Sequence, residues 1–144
     1  KLCTIVGRHM LKQRKGAIVL IGSAHAYQGY PERLPYSIAK TAMLGLSRSL
    51  ALEWGTRGVR TNIICPWRVA GPRTQRIIDA HQSYGEDIKE AYKQRSPMRQ
   101  LISADDIAQT VLWIEGVTCG NGMEILLDGG VAQSMWYKPY LEDV

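Results

Sequence analysis

Apolar residues near the start of the chain fall at Leu2, Ile5, Val6, Met10 and Leu11. These spacings lie on one face of a helix over 2–14, with Gly16 as a natural stop. The run "AIVLIG" is short, almost unbroken and rich in β-branched residues, which predicts a strand buried on both faces, as in a parallel sheet. Residues 24–35 hold two prolines and a glycine and read as a loop. From Tyr36 to about Trp54 the helical pattern returns, with Ala39, Ala42 and Gly45 on one face and Ile38, Leu46 and Leu50 nearby; Gly55 and Gly58 end it. "VRTNIIC" predicts a second buried strand, closed by Pro66. Residues 67–100 are polar and predict a long loop with one or two short helices. "SADDIAQTVLWI" opens on Ser103, an expected N-cap, with Asp106 three residues on as a variant capping box. "MEILLDGG" is the third strand, and Asp128 is expected to form the turn after it. The tail "VAQSMWYKPYLEDV" has no period.

Helices alternating with buried strands predict an α/β fold with a parallel sheet. Ligands of such sheets lie beyond the carboxyl ends of the strands. That edge holds Ser23, the segment from Pro66 and the start of the helix bearing Tyr36 and Lys40.

Composition narrows the classes. Of the 144 residues, 45% are hydrophobic and 22% charged, the balance of a globular domain. No run of about 18 apolar residues predicts a membrane span. The opening residues mix charge with apolar positions, unlike a signal peptide. Cys3, Cys65 and Cys119 are far apart and odd in number, so they are expected reduced and buried, in a cytoplasmic setting. His9, His25 and His81 are equally scattered, and no metal site is expected. The net charge of +5 permits an anionic partner, a phosphorylated cofactor among them. The positive charges are dispersed, and the cluster at Lys12, Arg14 and Lys15 suits a solvated helix end. Nucleic acid is therefore not expected as a partner, pI being its one motive.

The chemistry begins at "YSIAK". Tyr36 and Lys40 are four apart on a helix and share a face. A lysine cation beside a phenol favours the phenolate and brings its pKa down from about 10. Ser23, thirteen residues before Tyr36, could hydrogen-bond the oxygen whose proton moves. The set could move a proton on or off a carbonyl or alcohol, but it holds no hydride source.

The conjunction of "GAIVLIGSA", "YSIAK", "SLALEW", "VRTNIICP", "SADDIAQTVLWI" and "GNGMEILLDGG" resembles the second half of a short-chain dehydrogenase/reductase of the compact form, from about Gly16 to Gly130. The resemblance implies the C-terminal part of a Rossmann-like doubly wound parallel sheet, with residues 1–144 a single partial domain. It implies Tyr36 as general acid/base, Ser23 orienting the substrate oxygen, and Lys40 lowering the Tyr36 pKa while holding the nicotinamide ribose. Tyr36, Lys40, Pro66, Trp67 and Val69 would contact NAD or NADP, and residues 70–98 would cover a small carbonyl or alcohol substrate. It further implies a homodimer or homotetramer in the full-length form.

The sequence departs from the family in two ways. No glycine-rich phosphate turn is present, and the chain opens on Lys1, so a C-terminal portion of a longer enzyme is expected. Trp67 follows Pro66 where the family generally has glycine, with Gly71 near the usual threonine position and Thr74 further on. Trp67 would narrow the nicotinamide side or swing into the substrate pocket. These departures keep open a non-catalytic family member acting as a structural or regulatory partner. His25 reads as a loop residue or a pocket wall. The aromatics Trp136, Tyr137 and Tyr140 could cover the pocket, meet a second subunit or pack as a plain terminus.

Overall fold

The structure, a computed structural model, describes residues 1–82 and 87–136. Its elements are α1 (Leu2–Gln13), β1 (Gly16–Ile21), α2 (Leu34–Gly55), β2 (Val59–Pro66), α3 (Pro72–Gln82), α4 (Ile88–Arg95), α5 (Ala104–Gly116) and β3 (Glu124–Leu127). Short 3-10 turns follow β1 (Ala24–Ala26) and β3 (Val131–Trp136). The strands form a parallel sheet in the order β1-β2-β3. Ile21 pairs with Ile64, and Pro66 with Leu127, so the carboxyl ends of all three strands meet at one edge.

β2 is the centre. Val59, Thr61, Asn62, Ile63, Ile64 and Cys65 are fully buried, as a parallel strand with neighbours on both edges should be. Alternation sends its side chains to two faces. Ile63 and Cys65 pack with Leu44 of α2, together with Leu20 and Met43. On the other face, Asn62 Nδ2 donates to the Gly120 carbonyl at 2.8 Å and its Oδ1 accepts from Met123 N–H at 2.9 Å. Arg60 donates to the carbonyls of Ile114, Glu115 and Gly120, which satisfies the end of α5. Helices thus cover both faces of β2.

Several expectations change here. β1 is half-buried, with Ile21 43% exposed, because among the described residues it has one strand neighbour rather than two. α1 is turned off by Arg14 in the left-handed region (φ 52), whose N–H reaches Leu11 O, before Gly16 is reached. Gly16 instead lets Met10 lie against the start of β1. On α1, Leu2, Ile5 and Val6 face outward, and Gly7, buried against Trp54, is the contact with α2. α2 starts two residues before Tyr36, with Pro35 in its first turn, where the missing N–H costs nothing. Its buried face is Leu44, Ser47, Leu50 and Ala51, while Ile38, Ala39, Ala42, Gly45 and Leu46 are exposed. Of the cysteines, all unpaired, Cys65 is buried, Cys3 half-buried and Cys119 exposed.

Other expectations match the structure. Residues 67–100 contain two helices, α3 and α4. The capping box at Ser103 and Asp106 is complete. Asp128 accepts from the N–H groups of Gly130 and Ala132 and builds the turn after β3. Tyr137 and Tyr140 lie outside the described residues. No helix among those described is long and apolar enough to cross a membrane.

Candidate active site

The site grows from the end of β1. Gly22 N–H donates to Ile64 O at 2.7 Å, and a side chain at Gly22 would collide with Cys65 and Ile63, so glycine lets the chain turn tightly over β2. Ser23 follows in extended conformation, 4% exposed, and caps the 3-10 turn by accepting from His25 N–H at 3.2 Å. Accepting uses the oxygen and leaves the hydroxyl hydrogen available to donate.

The turn directs His25 inward. Its ring stacks on Tyr30 at 3.8 Å between centroids and meets Tyr36 edge-on at 5.4 Å. Burial, then the charges of Arg68 and Arg33, lower its pKa to about 4. The imidazole is therefore neutral near pH 7, and its buried Nδ1 has no hydrogen-bond partner among the described residues.

Tyr36 stands in the first turn of α2, half-buried. Lys40 lies one turn on, and its amine donates to Ile21 O at 3.0 Å. That bond ties the helix to the end of β1 and holds the amine 5.8 Å from the Tyr36 ring centroid. From the other side come the residues after β2. Trp67 N–H donates to Leu127 O at 2.9 Å, and its indole packs with Ala24, Val131 and Tyr92 while donating to Tyr30 Oη at 3.2 Å. Val69 bridges to Ile102, and its carbonyl accepts from Thr74 Oγ1 at 2.6 Å.

Ser23, Tyr36, Trp67 and Val69 thereby share the wall of one cavity of about 350 Å³ with His25, Arg33, Arg68, Arg73 and Thr74. Two of the expected site residues do not line it. Lys40 sits behind Tyr36 at the strand end, and Pro66 is the last, buried residue of β2. Trp67 is 7% exposed and is part of a core cluster and of the cavity wall at once. A larger hollow of about 640 Å³ lies beside α5 and β3, but none of the expected residues lines it. Its carboxylates, Asp106 and Asp128, are already engaged by the Ser103 cap and the β3 turn. The smaller cavity is the one that gathers Ser23 and Tyr36.

Sequence reasoning missed the three arginines. Arg33 precedes Tyr36 by three residues and Arg68 adjoins Trp67, but nothing in their spacing joins them to Arg73. Arg73 stands 5.7 Å from the Tyr36 ring centroid, and Arg68 lies 4.4 Å over the Tyr92 ring.

A parallel α/β sheet with a tyrosine and a serine converging beyond its carboxyl edge defines a Rossmann-type ligand-binding protein. Residues 1–132 match the family model described as enoyl-(acyl carrier protein) reductase, and the chain belongs to the short-chain dehydrogenase/reductase family. It is 31% identical over 129 residues to 2-(R)-hydroxypropyl-CoM dehydrogenase of Xanthobacter autotrophicus, covering 88% of this chain and 50% of that protein. It is 30% identical over 131 residues to 2-keto-3-deoxy-L-fuconate dehydrogenase of Xanthomonas campestris, covering 89% of this chain and 44% of that one. Among solved structures it resembles ElxO with NADP bound, with a TM-score of 0.82 and 27% identity over 91% of this chain and 52% of that one. The chain spans about half the length of the curated relatives it matches.

Proposed function

We propose that the protein is an oxidoreductase that interconverts a ketone and a secondary alcohol with NAD(H) or NADP(H). In this reading Tyr36 Oη gives its proton to the carbonyl oxygen in reduction and takes it back in oxidation. Ser23 Oγ donates a hydrogen bond to the same oxygen and offsets the charge that grows there. Lys40 anchors the Tyr36 helix to the end of β1 and offers its remaining N–H bonds to a ribose hydroxyl. The single observation that carries the reading is the meeting of Ser23 and Tyr36 in one cavity beyond the carboxyl edge of a parallel sheet.

The residues fit the nicotinamide end of the cofactor. Val69, Ala70 and Gly71 line the cavity, and beyond its chain neighbours no atom lies within 4 Å of where a Gly71 side chain would begin. Bound there, a nicotinamide supplies or accepts the hydride. The NADP bound by ElxO agrees in kind. Trp67, the departure that favoured a non-catalytic reading, packs into the wall and leaves the cavity open.

Tyr36→Phe in the full-length protein tests this. It removes the proton and keeps the ring that His25 and Arg73 touch. Turnover should fall by about 10²–10⁴, the usual range for a positioned acid or base, with an unchanged melting temperature. Near-normal turnover would sink the assignment.

A further inference from the structure

The cavity wall carries Arg33, Arg68 and Arg73, and no Asp or Glu. Among the described residues the ion pairs are Arg48–Glu124 and Lys93–Glu90, so none of the three arginines is neutralised by a carboxylate. Arg68 is half-buried, and its buried Nε has no hydrogen-bond partner among the described residues. His25, a residue of the same wall and only 7% exposed, holds a second buried nitrogen, Nδ1, without a partner among the described residues. Charged groups deprived of water need an opposite charge or hydrogen bonds. Among the described residues Arg68 meets a ring face, that of Tyr92, and no carboxylate.

We propose that the substrate carries an anionic group, of the carboxylate class, held by Arg68 with Arg33 and Arg73 in the cavity that Ser23 and Tyr36 share. This rests on the oxidoreductase reading above and adds the class of substrate. A guanidinium fork suits a carboxylate because two parallel N–H donors meet two oxygens. The distances set where the anion lies: Arg73 is 5.7 Å from the Tyr36 ring, and Arg33 begins the same helix. The anion therefore sits a few bonds from the carbonyl that Tyr36 protonates. The depressed pKa of His25, caused after burial by Arg68 and Arg33, reports the same unbalanced positive field. A phosphate of the cofactor offers the same chemistry, and the test separates the two.

The full-length protein is assayed with levulinate and acetoacetate, each beside its methyl ester, at saturating cofactor. The acids should be preferred in kcat/KM by tenfold or more. Arg68→Gln should cut the acid-to-ester ratio about ten- to a hundredfold, the scale of one charge-assisted hydrogen bond. Arg68→Lys should restore part of it, and the exposed Arg73→Gln, which threatens the fold least, should move it the same way by less. Esters turned over as well as acids overturn the proposal and leave the oxidoreductase reading standing. A raised KM for the cofactor with an unchanged ratio assigns the arginines to cofactor phosphates and also overturns it. If no carbonyl compound is turned over, levulinate titrated against tryptophan fluorescence decides. Saturable binding weakened by Arg68→Gln keeps the anion site and fails the oxidoreductase reading, and no binding fails both.

Discussion

At the scale of single residues, His25 is the most informative group in the site. Its pKa in the folded protein, about 4, lies below the ordinary histidine value of 6.5. The unfolded chain therefore binds more protons between these two values, and stability rises with pH across that window. The contribution is fully present above pH 6.5 and is lost as pH falls toward 4. Solvent screening keeps it below an upper limit of about 3 kcal/mol, and His25→Gln should flatten the stability profile between pH 6.5 and 4. An unchanged slope in that variant would show that other groups carry the acid sensitivity. Only part of this environment is visible in sequence. That His25 follows Ser23 by two residues can be read, but the stacking of Tyr30, from the same loop, on its ring cannot, and Arg68 comes from a separate segment after β2. Local pattern placed Ser23 at a strand end and Tyr36 near the next helix start, and the family resemblance joined the two. Arg33, Arg68 and Arg73 were not legible, since nothing local distinguishes a cavity arginine from a solvated one.

At the scale of elements, local rules account for starts and stops better than for faces. The α5 N-terminus is written in four consecutive residues: Ser103 Oγ accepts from Asp106 N–H at 3.0 Å, and Asp106 Oδ2 accepts from Ser103 N–H at 2.9 Å. The cap holds the Asp106 carboxyl below its usual pKa, through the Ser103 hydroxyl first and then its N–H. Ser103→Ala should cost about 1 kcal/mol of stability, read by denaturant melts, and no loss would mean that the first turn is held by tertiary contacts instead. The C-terminus of α5 shows the opposite case. Its carbonyls are satisfied by Arg60, more than fifty residues away on β2, which no helix-end signal announces. Faces were harder still. The periodicity at Leu2, Ile5 and Val6 is helical, yet these residues point outward, because an apolar stripe says that something covers it and not what.

At the scale of the molecule, that outward face suggests its own test. Ile38, Ala42, Gly45 and Leu46 form an exposed strip along α2, and Leu2 and Ile5 extend the apolar surface on α1. Small residues let a helix approach closely, and a second copy of the chain is the expected cover, giving a dimer or tetramer of the full-length protein. Light scattering should return a multiple of the subunit mass, and Leu46→Glu should lower it toward the monomer. A monomeric mass for the unaltered protein would remove this prediction. The strip lies on the side of α2 away from the β2 contacts of Leu44. Loss of assembly should therefore be separable from loss of the fold.

The sequence by itself determined the order of helices and strands, the parallel α/β class, the α5 cap, the Asp128 turn and the placing of Ser23 and Tyr36 near one edge of the sheet. Each depends on neighbours within about one or two turns of chain, or on the strand-to-helix rule of a parallel sheet. Tertiary structure alone decided that Trp67 packs into the cavity wall, that Lys40 is tied to Ile21, that β1 is half open, and that three arginines, with no carboxylate among the described lining residues, share a cavity with Ser23 and Tyr36. These are sums over segments distant in the chain, and burial and charge balance exist only once those segments are packed together.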